Sequence, residues 1–266
     1  MRRTTRRRLT NGVLYAILVL AVLLLGALVD WGAVRANFFD KAGWERGGNW
    51  GDLITIGVKN TVIYTVIAFV FGFALAILLA LMKLSPVAPY RWLATAYIEF
   101  FRGLPALIVI LVMGFGVPIA FNWRPPGGLV GAGLIGLILV AGAYMAETLR
   151  AGIQAVPKGQ TEAARSLGMG AGRTTVSVVL PQAFRIVIPP LTNEFVLLIK
   201  DTALLFVLGV QVDQRELTTV ARDLLTSGPT AGTSTSLIQA ALLYLVITLP
   251  LTRLVAALEK RQQRAR

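Results

Sequence analysis

The sequence contains no cysteine and no histidine. The first absence excludes a disulfide framework and thiol chemistry, without fixing a compartment. The second excludes histidine acid–base chemistry and histidine metal sites. Charge is also scarce: 15% of the 266 residues are charged and 56% are hydrophobic, with a mean hydropathy of +0.70. A soluble domain of this length needs more polar surface. There is no GxxxxGK phosphate loop followed by Ser or Thr, so the chain is not expected to bind ATP itself. There is no internal repeat either.

What is present is a set of long apolar runs, each near or above the ~20 residues that a spanning helix needs. Leu9–Val29, Asn60–Met82, Gly103–Trp123, Pro125–Ala146 and Leu224–Thr252 carry no charge; a sixth, about Ile186–Val212, is interrupted by Glu194, Lys200 and Asp201. The runs are continuous rather than alternating, which argues against barrel strands. The expected fold is all-α: a polytopic membrane protein of six transmembrane helices. The helices are expected at about 12–34, 53–83, 93–121, 127–150, 183–212 and 236–257. The first run has an arginine-rich start like a signal peptide. Its apolar core is long and no clear cleavage site follows, so a retained helix is expected.

The net charge of +13 raises nucleic acid as a partner, but the bases flank the apolar runs instead of forming a soluble basic face. With the N-terminus inside, the inner segments hold seventeen Lys and Arg and the outer segments six. That bias predicts both tails in the cytoplasm. Trp31–Asp52, with Trp31, Trp44 and Trp50, reads as an outer loop returning along the membrane interface. Gln211–Ser236 reads as an outer loop with one short amphipathic helix near Arg215–Leu225. Gly128, Ala132 and Gly136 place small residues on one face of the fourth helix, for packing within the bundle.

The longest internal polar stretch lies at 151–182. Pro157 and Gly159 break the fourth helix, Gln160 or Thr161 can cap a new one, and Glu162 sits near its positive end. Gly168 and Gly170 end that helix, and Pro181 marks another break before the fifth span. A short helix thus projects between two spans, with alanines on one side and charges on the other, suited to a groove in a soluble partner.

The run Glu162-Ala163-Ala164, then Gly168, Val178, Leu180 and Pro181, resembles the EAA signature of bacterial ABC importer permeases. Tyr144–Ile153, Val156–Gln160, Asn193–Leu204 and Phe100–Pro105 resemble the histidine/glutamine/arginine/opine subfamily, over about Asp52–Glu259. Leu104 and its neighbours are more apolar than is usual there. The resemblance implies a type-1 importer transmembrane domain over 52–259, preceded by an extra N-terminal helix and outer loop (1–51) and followed by a cytoplasmic tail (260–266). It implies a non-catalytic permease for polar amino acids in the cytoplasmic (inner) membrane, with no cofactor of its own. Its partners would be an ATP-binding ATPase dimer, a second permease copy or a homologous permease, an extracytoplasmic amino-acid-binding protein and membrane lipid. Glu162, Ala163, Ala164, Arg165, Gly168, Leu180 and Pro181 would form the coupling contact to the ATPase. Glu162 can meet a base on the ATPase or cap its own helix.

Intramembrane charges usually face a partner or a watery cavity. Glu194, Leu197, Leu198 and Asp201 share one helical face. With Lys200 they form either an ion-pair network or a polar lining for a zwitterionic cargo. Glu99 with Arg102, and Glu147 with Arg150, are spaced to pair locally, as helix-end anchors or as parts of a gate. An integral-membrane enzyme would need a convergent catalytic set, which these scattered carboxylates do not offer. A stand-alone secondary transporter would be expected to show internal repeats.

Overall fold

The computed structural model describes residues 3–45 and 47–264 and contains helices but no strand among them. Of the bases assigned to the tails, Arg2 and Arg266 lie outside the described residues. The longer helices are α1 (Arg3–Leu28), α2 (Trp31–Phe38), α3 (Trp50–Leu84), α4 (Ala88–Gly103), α5 (Ala106–Phe121), α6 (Gly128–Gln154), α7 (Lys158–Ser166), α8 (Leu180–Asp201), α9 (Leu217–Thr226) and α10 (Thr235–Arg264), with single helical turns at Lys41–Trp44 and Ala171–Thr174. Four of them, α1, α3, α6 and α10, are long and apolar enough to cross a membrane; α4 and α5 make a fifth if they are one bent span.

The expected span at 12–34 stops at Leu28. Asp30 accepts a hydrogen bond from the Ala33 amide and so caps α2 as a separate helix. The expected helix at 93–121 is broken: α4 and α5 meet at 103°. Pro105, which cannot donate to the preceding turn, caps α5 in an extended conformation. The run at 183–212 is helical as far as Asp201 and continues in tighter 3-10 turns over Thr202–Leu208. It falls outside the apolar spans because Arg185, Glu194, Lys200 and Asp201 lie within it. Pro181 does not interrupt the chain. It occupies the first turn of α8, and the preceding turn widens to a π-turn over Thr175–Val179.

The core centres on α6, with 67% of its apolar window buried. Small residues let its neighbours approach. A Cβ on Gly136 would stand 3.2 Å from the Cα of Ile110 in α5, and one on Gly72 of α3 would stand 3.3 Å from the Cβ of Ala141. Of the expected small-residue stripe, Ala132 and Gly136 are buried, whereas Gly128 is exposed and opens the helix with a φ of +65°, where an added Cβ would meet no neighbour within 4 Å. No part of the apolar window of α1 is buried.

At the N-terminal end of α3 and α10 a polar clamp holds the two ends of the chain together. The Asn49 side-chain amide donates to Thr230 Oγ1 (2.9 Å) and to Gln239 Oε1 (2.8 Å), and Gln239 Nε2 donates to the Gly43 carbonyl (2.8 Å). Thr230 is therefore buried, although its segment reads as an exposed loop in the sequence.

Candidate functional site

Two features stand apart from ordinary packing. The first is α7. Its N-cap is Pro157, with no side-chain cap, so Gln160 and Thr161 lie inside the helix rather than capping it. Its end is a Schellman motif: the Met169 amide donates to the Ala164 carbonyl (3.1 Å) and the Gly168 amide to the Arg165 carbonyl (3.0 Å). Gly168 takes the left-handed conformation this requires, with φ +85°. Glu162, Ala163 and Arg165 are exposed, whereas Ala164 is buried and Leu180 is half-buried. The two alanines thus face different ways: Ala164 packs inward and only Ala163 can meet a partner. Leu167 is 85% exposed at the tip. It is absent from the individual residues that the sequence assigns to the coupling contact, although it lies within that stretch.

The second feature is a cavity of about 310 Å³ where the α4–α5 break meets α6 and α8. The break contributes Leu104 and Pro105. Tyr144 lines it from α6, and Glu194, Leu198 and Asp201 line it from α8. The α8 contributors are one helical stripe, as the spacing from 194 to 201 requires. Lys200 is not among the lining residues and points to the exposed side of α8. No ion pair joins it to Asp201 among the described residues, so it separates from the two carboxylates with which the sequence grouped it. The Arg102 guanidinium lies 5.4 Å from the centre of the Tyr144 ring, a cation–π distance. Glu99 is exposed and makes no ion pair with Arg102 in the described residues.

A profile described as "Binding-protein-dependent transport system inner membrane component" matches residues 72–264. The chain belongs to this family. It is a multi-pass, non-catalytic permease of the cytoplasmic membrane, from a transport system that includes an ATPase and a substrate-binding protein. The permease is 39% identical over 214 residues to the probable glutamine ABC transporter permease protein GlnM of Bacillus subtilis (strain 168), covering 79% of this chain and 93% of the relative. It is 33% identical to the arginine transport system permease protein ArtQ of the same organism, covering 77% and 90%. A solved amino acid ABC transporter, crystallised with histidines, matches with a TM-score of 0.71 and 35% identity over 80% of this permease and 95% of that chain. A bacterial alginate ABC transporter shares the fold over 98% of the permease at 15% identity, with a TM-score of 0.65.

The permease also holds an ion-pair cluster between the ends of α3 and α6. Glu147 accepts hydrogen bonds from Lys83 Nζ (3.1 Å) and Arg150 Nε (3.0 Å), and Arg150 reaches on to Gln154. The i,i+3 pairing of Glu147 with Arg150 is legible in the sequence; Lys83, from a distant helix, is not. Among the described residues no three potential metal ligands come together.

Proposed function

We propose that this permease carries polar amino acids, and that the cargo passes the cavity between the α4–α5 break, α6 and α8. The observation that carries the reading is the lining of that cavity: two carboxylates, Glu194 and Asp201, on an otherwise mostly apolar wall. Such a wall favours an ammonium group, which every amino acid has and a sugar lacks. Relatives named for glutamine and arginine transport support amino acids as cargo. Arg102, stacked on Tyr144, is the base best placed to meet the cargo carboxylate; Lys200 drops out.

The transmembrane domain spans 52–259 and holds five of the six transmembrane helices, the N-terminal helix being the extra one, with both tails in the cytoplasm. α7 docks in a groove of an ATPase dimer through Glu162, Ala163, Arg165 and Leu167, while Ala164, Gly168, Leu180 and Pro181 shape the loop. A second permease, identical or homologous, completes the pathway. Glu147 and its two bases hold the α3 and α6 ends together beside that loop, so helix motion there passes to α7.

Reconstituted permease, ATPase and binding protein test the whole reading. Addition of the loaded binding protein should raise ATP hydrolysis and drive uptake of a radiolabelled polar amino acid. Uptake of a sugar instead, or uptake without ATP, would overturn it.

A further inference from the structure

A second, open pocket of about 470 Å³ lies between the end of α3, the start of α4 and the end of α6. Lys83, Arg91, Trp92, Thr95, Arg150 and Gln154 line it. Three of these are cationic, and Glu147, which pairs with Lys83 and Arg150, neutralises only one of the charges. The excess is held in place. Arg91 donates through one guanidinium nitrogen to the Ser85 carbonyl (3.1 Å) and the Pro86 carbonyl (2.7 Å), which leaves its other N–H groups for a ligand. Arg150 is braced by Glu147 and Gln154. α4 starts beside the pocket without a side-chain cap, which adds a weak positive potential.

The surroundings decide between a soluble anion and a lipid. Trp92 is 74% exposed at the pocket, and Leu93 beside it is 56% exposed. Indole rings favour the membrane–water boundary, and basic pockets between spans at that depth suit lipid headgroups. Arg150 and Gln154 stand just before Pro157, so the pocket lies at the same end of the bundle as α7. We infer that this pocket binds the phosphate headgroup of an anionic phospholipid from the leaflet facing α7. The phosphate meets Lys83, Arg91 and Arg150, and the acyl chains run past Trp92 and Leu93. The site is separate from the cargo cavity and does not depend on what the permease carries.

Native mass spectrometry of the full chain in detergent tests this. Phosphatidylglycerol should be retained in preference to phosphatidylcholine with the same acyl chains, and glycerol 3-phosphate at equal concentration should not compete. Arg91→Gln should weaken phosphatidylglycerol binding about fivefold, the effect of one base near an anionic surface. Thr95→Glu, which places a carboxylate in the pocket and leaves the Ser85–Pro86 contacts intact, should weaken it at least as much. Arg124→Gln, at the other end of the bundle, should change nothing. Equal retention of the two lipids, or undiminished binding in both pocket variants, would overturn the inference. Effective competition by glycerol 3-phosphate would mean that the site takes a soluble phosphate. Loss of the ATPase on copurification, with lipid binding unchanged, would make the pocket a protein contact instead.

Discussion

Asn49 and Gln239, 190 residues apart, share a buried hydrogen bond of 2.8 Å from the Asn49 amide to the Gln239 carbonyl oxygen. With Thr230 and Gly43 they fasten the segment before α3 to the start of α10. Both side chains are almost wholly buried, so removing one partner strands the other without water. Asn49→Leu or Gln239→Leu should therefore cost about 1–3 kcal/mol, read as a lower melting temperature of the purified permease. An unchanged melting temperature would show that the clamp contributes nothing net.

On the same side, Glu216 begins α9. Its carboxylate accepts from the Thr218 and Thr219 amides, from the Thr219 hydroxyl and from the Tyr244 hydroxyl. Burial nonetheless pushes its pKa up, and those four donors only partly oppose the shift. A carboxyl whose folded pKa lies above its unfolded value binds its proton more tightly when folded. Stability then falls as the pH rises from the ordinary carboxylate value through the folded one. The melting temperature of the wild type should rise on acidification through that window, and Glu216→Gln should lose this part of the slope. A wild-type slope that survives unaltered in Glu216→Gln would assign it to other groups.

Asp201 and Lys200 are neighbours in sequence but face differently, Asp201 toward the cavity at the α4–α5 break and Lys200 away from it. Asp201→Asn should reduce amino-acid uptake at least tenfold, about the worth of one charge-assisted hydrogen bond, while the complex still assembles. Lys200→Gln should leave uptake within about twofold of wild type. Equal loss in both would restore the pair as one unit. Normal uptake and abundance in Asp201→Asn would remove it from the pathway.

The orientation is tested by single cysteines in this cysteine-free chain. Thr4→Cys and Gln263→Cys should resist a membrane-impermeant thiol reagent in intact cells, because the basic tails oppose translocation. Ala231→Cys should react; Ala231 is exposed, unlike its buried neighbour Thr230. Reaction at the tail sites would refute cytoplasmic tails.

Much of this was legible in the sequence because the signals are local. Apolar runs marked the spans, since lipid demands continuous helix. The small helix before Gly168 and its left-handed end followed from Pro157 and glycine chemistry. The carboxylates of α8 fell on one face by spacing alone. What stayed hidden depended on distant partners. Lys83 reaches Glu147 across 64 residues, Thr230 is buried by Asn49, and Ala164 turns inward because the following turns pack against α7. The Arg102–Tyr144 stack replaces the expected Arg102–Glu99 pair, because the break at Leu104–Pro105 brings α6 within reach of the α4 end. Periodicity assigns faces of single helices; it does not say which faces meet.

The loop that carries α7 tests the proposed docking to the ATPase. α7 is bounded by Pro157 and by the Schellman turn at Gly168, and is joined to α6 and, through the helical turns at 171–179, to α8, so force applied to it reaches both helices. Its outward face is Glu162, Ala163, Arg165 and Leu167. Leu167 is an apolar side chain left in water, and covering it with a partner would recover roughly 1.5–3 kcal/mol. Leu167→Asp and Ala163→Trp should therefore leave the permease folded in the membrane but lose the ATPase on copurification. Ala164→Trp is a weaker probe, because a buried alanine has no room for an indole and the loop itself would distort. Gly168→Arg tests stiffness: a Cβ there meets no neighbour within 4 Å, so the cost is backbone strain alone, ~1 kcal/mol or more. That variant should keep some ATPase bound, yet uncouple hydrolysis from the loaded binding protein. Wild-type ATPase association and transport in both Leu167→Asp and Ala163→Trp would show that α7 is not the docking element, whatever cargo the cavity takes.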